Sequence, residues 1–182
     1  MDFATPGHAL EFSTELINSA GPISTLGRLQ ERPTRGSQEG YDHAINMAYT
    51  VSAEWAALAR EIRVSALTLK ASHGVAESSE ARELFNAMAH WIGLHWPRLN
   101  AQCLDRIASL AVLQYRKGIE GEAPVPMAQY AKAVGITRQS ASEPRWAEPI
   151  RGAERHVAMH YRSASKAMSD RLRDVGIVVR RY

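Results

Sequence analysis

Residues 127–143 read Met-Ala-Gln-Tyr-Ala-Lys-Ala-Val-Gly-Ile-Thr-Arg-Gln-Ser-Ala-Ser-Glu, and this stretch constrains the fold more than any other part of the chain. Its spacing predicts a helix, a glycine turn and a second, shorter helix. Gly135 supplies the left-handed backbone that a tight turn between helices needs. Ala131 lies where the two helices cross, since a larger side chain would push them apart. Tyr130, Val134, Ile136 and Ala141 fall on the inward face, and Thr137 is placed to cap the second helix. Pro144 disfavours helix in the residue before it, so the second helix should be short, or break and restart.

The rest of the chain carries helical periodicity. Over residues 41–71, Ile45, Ala48, Val51, Trp55, Leu58, Ile62 and Leu69 mark one apolar stripe, which predicts a single long helix stopped by His73-Gly74. Ser79 precedes a second helix reaching Trp96, with Leu84, Phe85, Met88, Trp91 and Ile92 inside, and Pro97 ends it or begins the next. A third helix, about residues 98–117, carries Leu99, Leu104, Ile107, Ala108, Ala111 and Tyr115, and residues 118–126 form a loop. Pro149 is placed to start a last long helix. Its stripe is Ile150, Ala153, Val157, Tyr161, Ala164, Met168, Leu172 and Val175, and Gly176 is its stop. Only residues 177–179 have strand composition. The chain is expected to be all-α, a helical bundle with a C-terminal helix-turn-helix module and a long final helix. Residues 1–40, with five glycines and three prolines, read as a flexible N-terminal arm or linker. An apolar cluster over residues 10–17 could form a short helix there, and Arg28, Arg32 and Arg35 make the arm locally basic. Residues 41–118 read as a partner-binding or scaffold region, and residues 119–182 as the helix-turn-helix region with its C-terminal helix.

Composition removes several classes of function. The single Cys103 of the 182 residues rules out a disulfide framework and a cysteine-rich zinc site. The longest apolar run, residues 107–113, is far short of a membrane span, and no secretory signal is apparent, so a cytoplasmic protein with no membrane association is expected. Net charge is only +3, yet residues 127–182 hold eleven Lys/Arg against five Asp/Glu, a balance of +6. That basic excess coincides with the helix-turn-helix pattern and suits a surface that faces phosphate.

Ala131, Gly135, Ile136 and the Thr137-Arg138-Gln139 start resemble the helix-turn-helix shared by many bacterial and phage regulators. Just upstream stand Leu110-Ala-Val-Leu-Gln-Tyr115 and then Gly118. An apolar helix ending in Tyr-x-x-Gly ahead of the motif is similar to the DNA-binding domain of sigma factors (region 4) and to phage late-gene antiterminators of the Q type. The resemblance spans roughly residues 99–172 and rests on a handful of positions. It implies a DNA-binding transcription regulator whose C-terminal module binds duplex DNA. No enzymatic activity is expected, because no nucleophile–base pair, phosphate loop or paired carboxylates stand out in the sequence. The N-terminal helices would then contact a protein partner or a second copy in a homo-oligomer. The Q-type likeness implies RNA polymerase as that partner, with transcription antitermination as the activity. Thr137, Arg138, Gln139, Ser140 and Ser142 are the residues assigned to base edges. Lys132, Arg145, Arg151 and Arg155 are assigned to phosphate.

Competing readings are an ordinary bundle with a glycine turn, a helical assembly or packaging protein (small-terminase-like) that carries a helix-turn-helix, and an enzyme whose site converges from distant helices. No catalytic residue, metal ligand or cofactor is assigned. His156 and His160 share a helix face, but two imidazoles do not complete a structural zinc site, and they read as surface residues or phosphate contacts. His90 and His95 beside Trp91 and Trp96 read as packing. Cys103, within an apolar helix, reads as a buried inert thiol. Pro144 stands where such motifs usually carry an aliphatic anchor, and Trp146 reads as the core residue that fills that place, or else as a partner-binding anchor.

Overall fold

A computed structural model describes residues 2–20 and 35–179. It is all-helical apart from one short strand pair. The elements are β1 (Asp2–Phe3), α1 (Pro6–Ala20), α2 (Arg35–Glu61), α3 (Arg63–Ser72), α4 (Ser78–His95), α5 (Ala101–Glu120), α6 (Met127–Val134), α7 (Arg138–Ala141), α8 (Pro144–Asp174) and β2 (Val178–Val179). Two compact units emerge, Met1–Glu61 with Ser165–Tyr182, and Ile62–Ala164.

In the first unit α1 packs against α2. Pro6 is the first residue of α1, the position where a missing N–H costs nothing. Ala9 and Leu10 are 0% and 2% exposed, so the segment read as a flexible arm is a docked helix over Pro6–Ala20. Glycine and proline counts pointed the other way because they average over the segment. The basic arm centred on Arg28 and Arg32 lies outside the described residues, while Arg35 belongs to α2. Parallel pairing of Phe3 with Val179 joins the two ends of the unit. The Phe3 ring lies 5.4 Å from that of Phe12. From α2, Ile45, Ala48, Val51 and Leu58 are buried as the stripe requires. Arg171, near the end of α8, pairs with Glu54 at 3.4 Å and with Glu61. The helix ends at Asp174, and Gly176 turns left-handed at φ 79°. Val175, counted with the apolar stripe, is one residue past that end and 43% exposed.

The long helix expected over residues 41–71 is broken, and the second unit begins at the break. Ile62 leaves the helical region at φ −133°, ψ 61°, and α3 starts afresh after it. The apolar spacing continues across the break, so periodicity alone could not reveal it. Glu77 rather than Ser79 opens α4, its backbone N–H donating to Glu80 Oε2 at 2.8 Å. Lys70 of α3 and Glu80 of α4 form a largely buried ion pair at 2.8 Å. Pro97 falls in the turn after α4, and Asn100 caps α5 by accepting from Cys103 N–H at 2.9 Å. Residues 118–120, expected in a loop, complete α5, and Gly121 ends it at φ 70°.

The last helix starts at Pro144, five residues earlier than expected. Pro149, read as the start, lies inside the helix. Either proline suits a first helical position, and the Ala147 N–H donating to Glu143 O at 2.8 Å marks the earlier one as the start.

Candidate nucleic-acid interface

The turn between α6 and α7 is built as its residues require. Gly135 sits at φ 75°, ψ 31°. Around it the Ile136 N–H donates to Ala131 O at 2.9 Å and the Gly135 N–H to Lys132 O at 3.4 Å. These are the two bonds of a Schellman closure, which satisfies carbonyls that the helix end would otherwise leave open. Thr137 then caps α7, its Oγ1 accepting from Ser140 N–H at 3.1 Å.

The rest of the unit holds this pair of helices. Tyr130, Ala131, Val134 and Ala141 are buried, while Ile136, expected on the same face, is half-buried. Arg106 of α5 donates to the carbonyl of Ala133, at the C-terminal end of α6 where a cation is favoured. Cys103 is buried, its thiol 4.0 Å from the Val134 carbonyl oxygen. The Tyr130 hydroxyl donates to Glu154 Oε1 at 2.9 Å, which ties α6 to α8. Burial, with the Glu154 carboxylate beside it, holds the Tyr130 phenol well above its usual range.

The residues assigned to DNA all lie within the second unit, on α6, α7, the start of α8 and their connections. Arg138, Gln139, Ser142, Lys132, Arg145, Arg151 and Arg155 are exposed. Arg145 is engaged with Glu143 at 3.0 Å, on the surface where such a pair is weak and readily exchanged. Thr137 and Ser140 are less available than expected. Their hydroxyls are 3.0 Å apart and serve the cap, and Ser140 is half-buried. Ser142 Oγ leans back to the Arg138 carbonyl at 3.5 Å. The second helix is a single turn of four residues, Arg138–Ala141, before the chain restarts as α8. Trp146 is half-buried, and its Nε1–H is enclosed without a hydrogen-bond partner among the described residues.

One cluster was not legible from sequence. His156 and His160, read as surface residues or phosphate contacts, are both half-buried and bonded to each other, Nε2 to Nε2 at 3.0 Å. His156 stacks on Trp91 with ring centres 3.8 Å apart and planes 9° from parallel. His160 Nδ1 lies 2.7 Å from Ser65 Oγ, and Ser65 is only 7% exposed. Burial, helped by the neighbouring His160 and His95, pushes the His156 imidazole down to about 4. It is therefore neutral at physiological pH and unsuited to attracting phosphate. The i, i+4 spacing was the available signal, but Ser65 and Trp91 come from α3 and α4, far away in the chain. His95 and Trp96 pack around Trp91 as expected, with ring centres 4.3 and 5.8 Å from it.

No protein-family model, curated protein or solved structure matches the chain. Among the described residues, no helix is long and apolar enough to cross a membrane.

Proposed function

We propose that this protein is a DNA-binding transcription regulator that engages duplex DNA through the α6–turn–α7 segment and the start of α8. The observation that carries the reading is the Gly135 turn with its Thr137 cap, which leaves Arg138 and Gln139 exposed at the start of α7. Arg138 and Gln139 are the base-reading candidates. Thr137 and Ser140 act mainly through the cap, and Ser142 stays at the edge of the contact. Lys132, Arg145, Arg151 and Arg155 supply phosphate contacts from exposed positions. RNA polymerase is the proposed protein partner, on the likeness to Q-type antiterminators. Titration of the full chain with duplexes of varied sequence tests the proposal. Binding should weaken steeply as salt rises, because each Lys/Arg–phosphate contact releases condensed counterions. Absence of binding at low salt, by folded protein, would overturn it.

The single-turn length of α7 favours one second reading, a helical assembly or packaging subunit, because four residues offer few side chains to a groove. Solution mass separates the two: a monomer or dimer fits regulation, and a large ring fits assembly.

A further inference from the structure

We propose that His156 and His160 form a two-imidazole site for a borderline divalent cation of the zinc, nickel and copper class. Both side chains project from one face of α8 one turn apart, and their Nε2 atoms converge to 3.0 Å. Two nitrogens bound at about 2.1 Å to a common ion lie roughly 3.0–3.4 Å apart, so the spacing already matches a pair of adjacent ligand positions. Imidazole nitrogen suits this cation class and suits magnesium or calcium poorly.

The surroundings orient both rings. Trp91 stacks flat on His156. Ser65 Oγ holds Nδ1 of His160 at 2.7 Å, the kind of outer hydrogen bond that sets which nitrogen of a ligating histidine is free. When Ser65 donates to Nδ1, the proton of His160 sits on Nε2 and is shared with His156 Nε2. A cation takes the place of that shared proton. The His160 proton moves to Nδ1 and is donated to Ser65 Oγ, so Ser65 changes from donor to acceptor and no proton is lost to solvent. His156 contributes its Nε2 lone pair with its own proton on Nδ1. Both half-buried rings retain some contact with solvent, and water fills the remaining coordination positions.

The test is titration of the full-length protein with nickel chloride at neutral pH, followed by calorimetry and by NMR. One equivalent should bind and selectively perturb the imidazole C–H resonances of His156 and His160, and zinc should compete for the same equivalent. His156→Gln and His160→Gln should each weaken binding at least about tenfold. Ser65→Ala should weaken it by about tenfold, and the exposed His90→Gln should leave it unchanged. Circular dichroism checks that each variant is folded. The NMR measurement on the unaltered protein stands whatever the variants do. Nickel that perturbs other histidines instead, or folded His156→Gln and His160→Gln proteins that bind like the parent, would overturn the proposal.

Discussion

Gly152 of α8 faces the indole of Trp96 so closely that a Cβ built on it would overlap Cη2 of the tryptophan. Gly118, inside α5, has no such neighbour within 4 Å. The same substitution should therefore act with opposite sign at the two positions. Gly118→Ala should stabilise by about 0.5–1 kcal/mol through helix propensity alone. Gly152→Ala should destabilise by about 1–2 kcal/mol, since displacing Trp96 from its contacts with Trp91 and His95 outweighs the gain in propensity. Denaturant unfolding of both variants measures the difference, and a stabilised Gly152→Ala protein would contradict the close approach.

The docking of α1 carries its own test. Leu10→Ala removes a side chain that is 2% exposed and should cost about 2–3 kcal/mol. Removal of residues 1–20 should lower the thermal transition, because α1 covers part of α2. An unchanged melting temperature in the truncated protein would show that α1 contributes nothing to the fold.

Under the proposed function, base reading and phosphate holding separate by mutation. Arg138→Ala and Gln139→Ala should each remove about 1–3 kcal/mol of discrimination between cognate and random duplexes, with most nonspecific affinity retained. Arg151→Ala and Arg155→Ala should weaken both duplexes alike and reduce the salt slope by about one unit each. Competition binding on matched duplexes reads both effects. An intact cognate-to-random ratio after the Arg138 and Gln139 changes would remove α7 from sequence recognition.

Cys103 gives a probe of the α5–α6 contact. With the thiol buried beneath the end of α6, an aromatic disulfide reagent should react slowly in native buffer and fast in denaturant. Ala131→Leu forces α6 and α7 apart at their crossing and should accelerate native labelling. Equal rates in native buffer and denaturant would contradict a buried thiol.

Much of the helical content was written in local spacing. The stripes through Ile45, Ala48 and Val51, through Leu84, Met88 and Ile92, and through Val157, Ala164 and Met168 repeat at helical intervals and are buried. Gly135, Thr137 and Pro144 announced the turn, the cap and the shortness of α7, because a left-handed backbone, a capping hydroxyl and a missing N–H are properties of single residues. What spacing could not show was set by groups remote in sequence. The break at Ile62 interrupts no apolar stripe, and Pro144 and Pro149 are both residues that can open a helix. The docking of α1 rests on partners in α2, and the joining of Ser65, Trp91, His156 and His160 draws on three helices. Helical periodicity is a local energy that one sequence window contains. The pairing of helix faces depends on which surfaces lose water together, and that belongs to the tertiary structure.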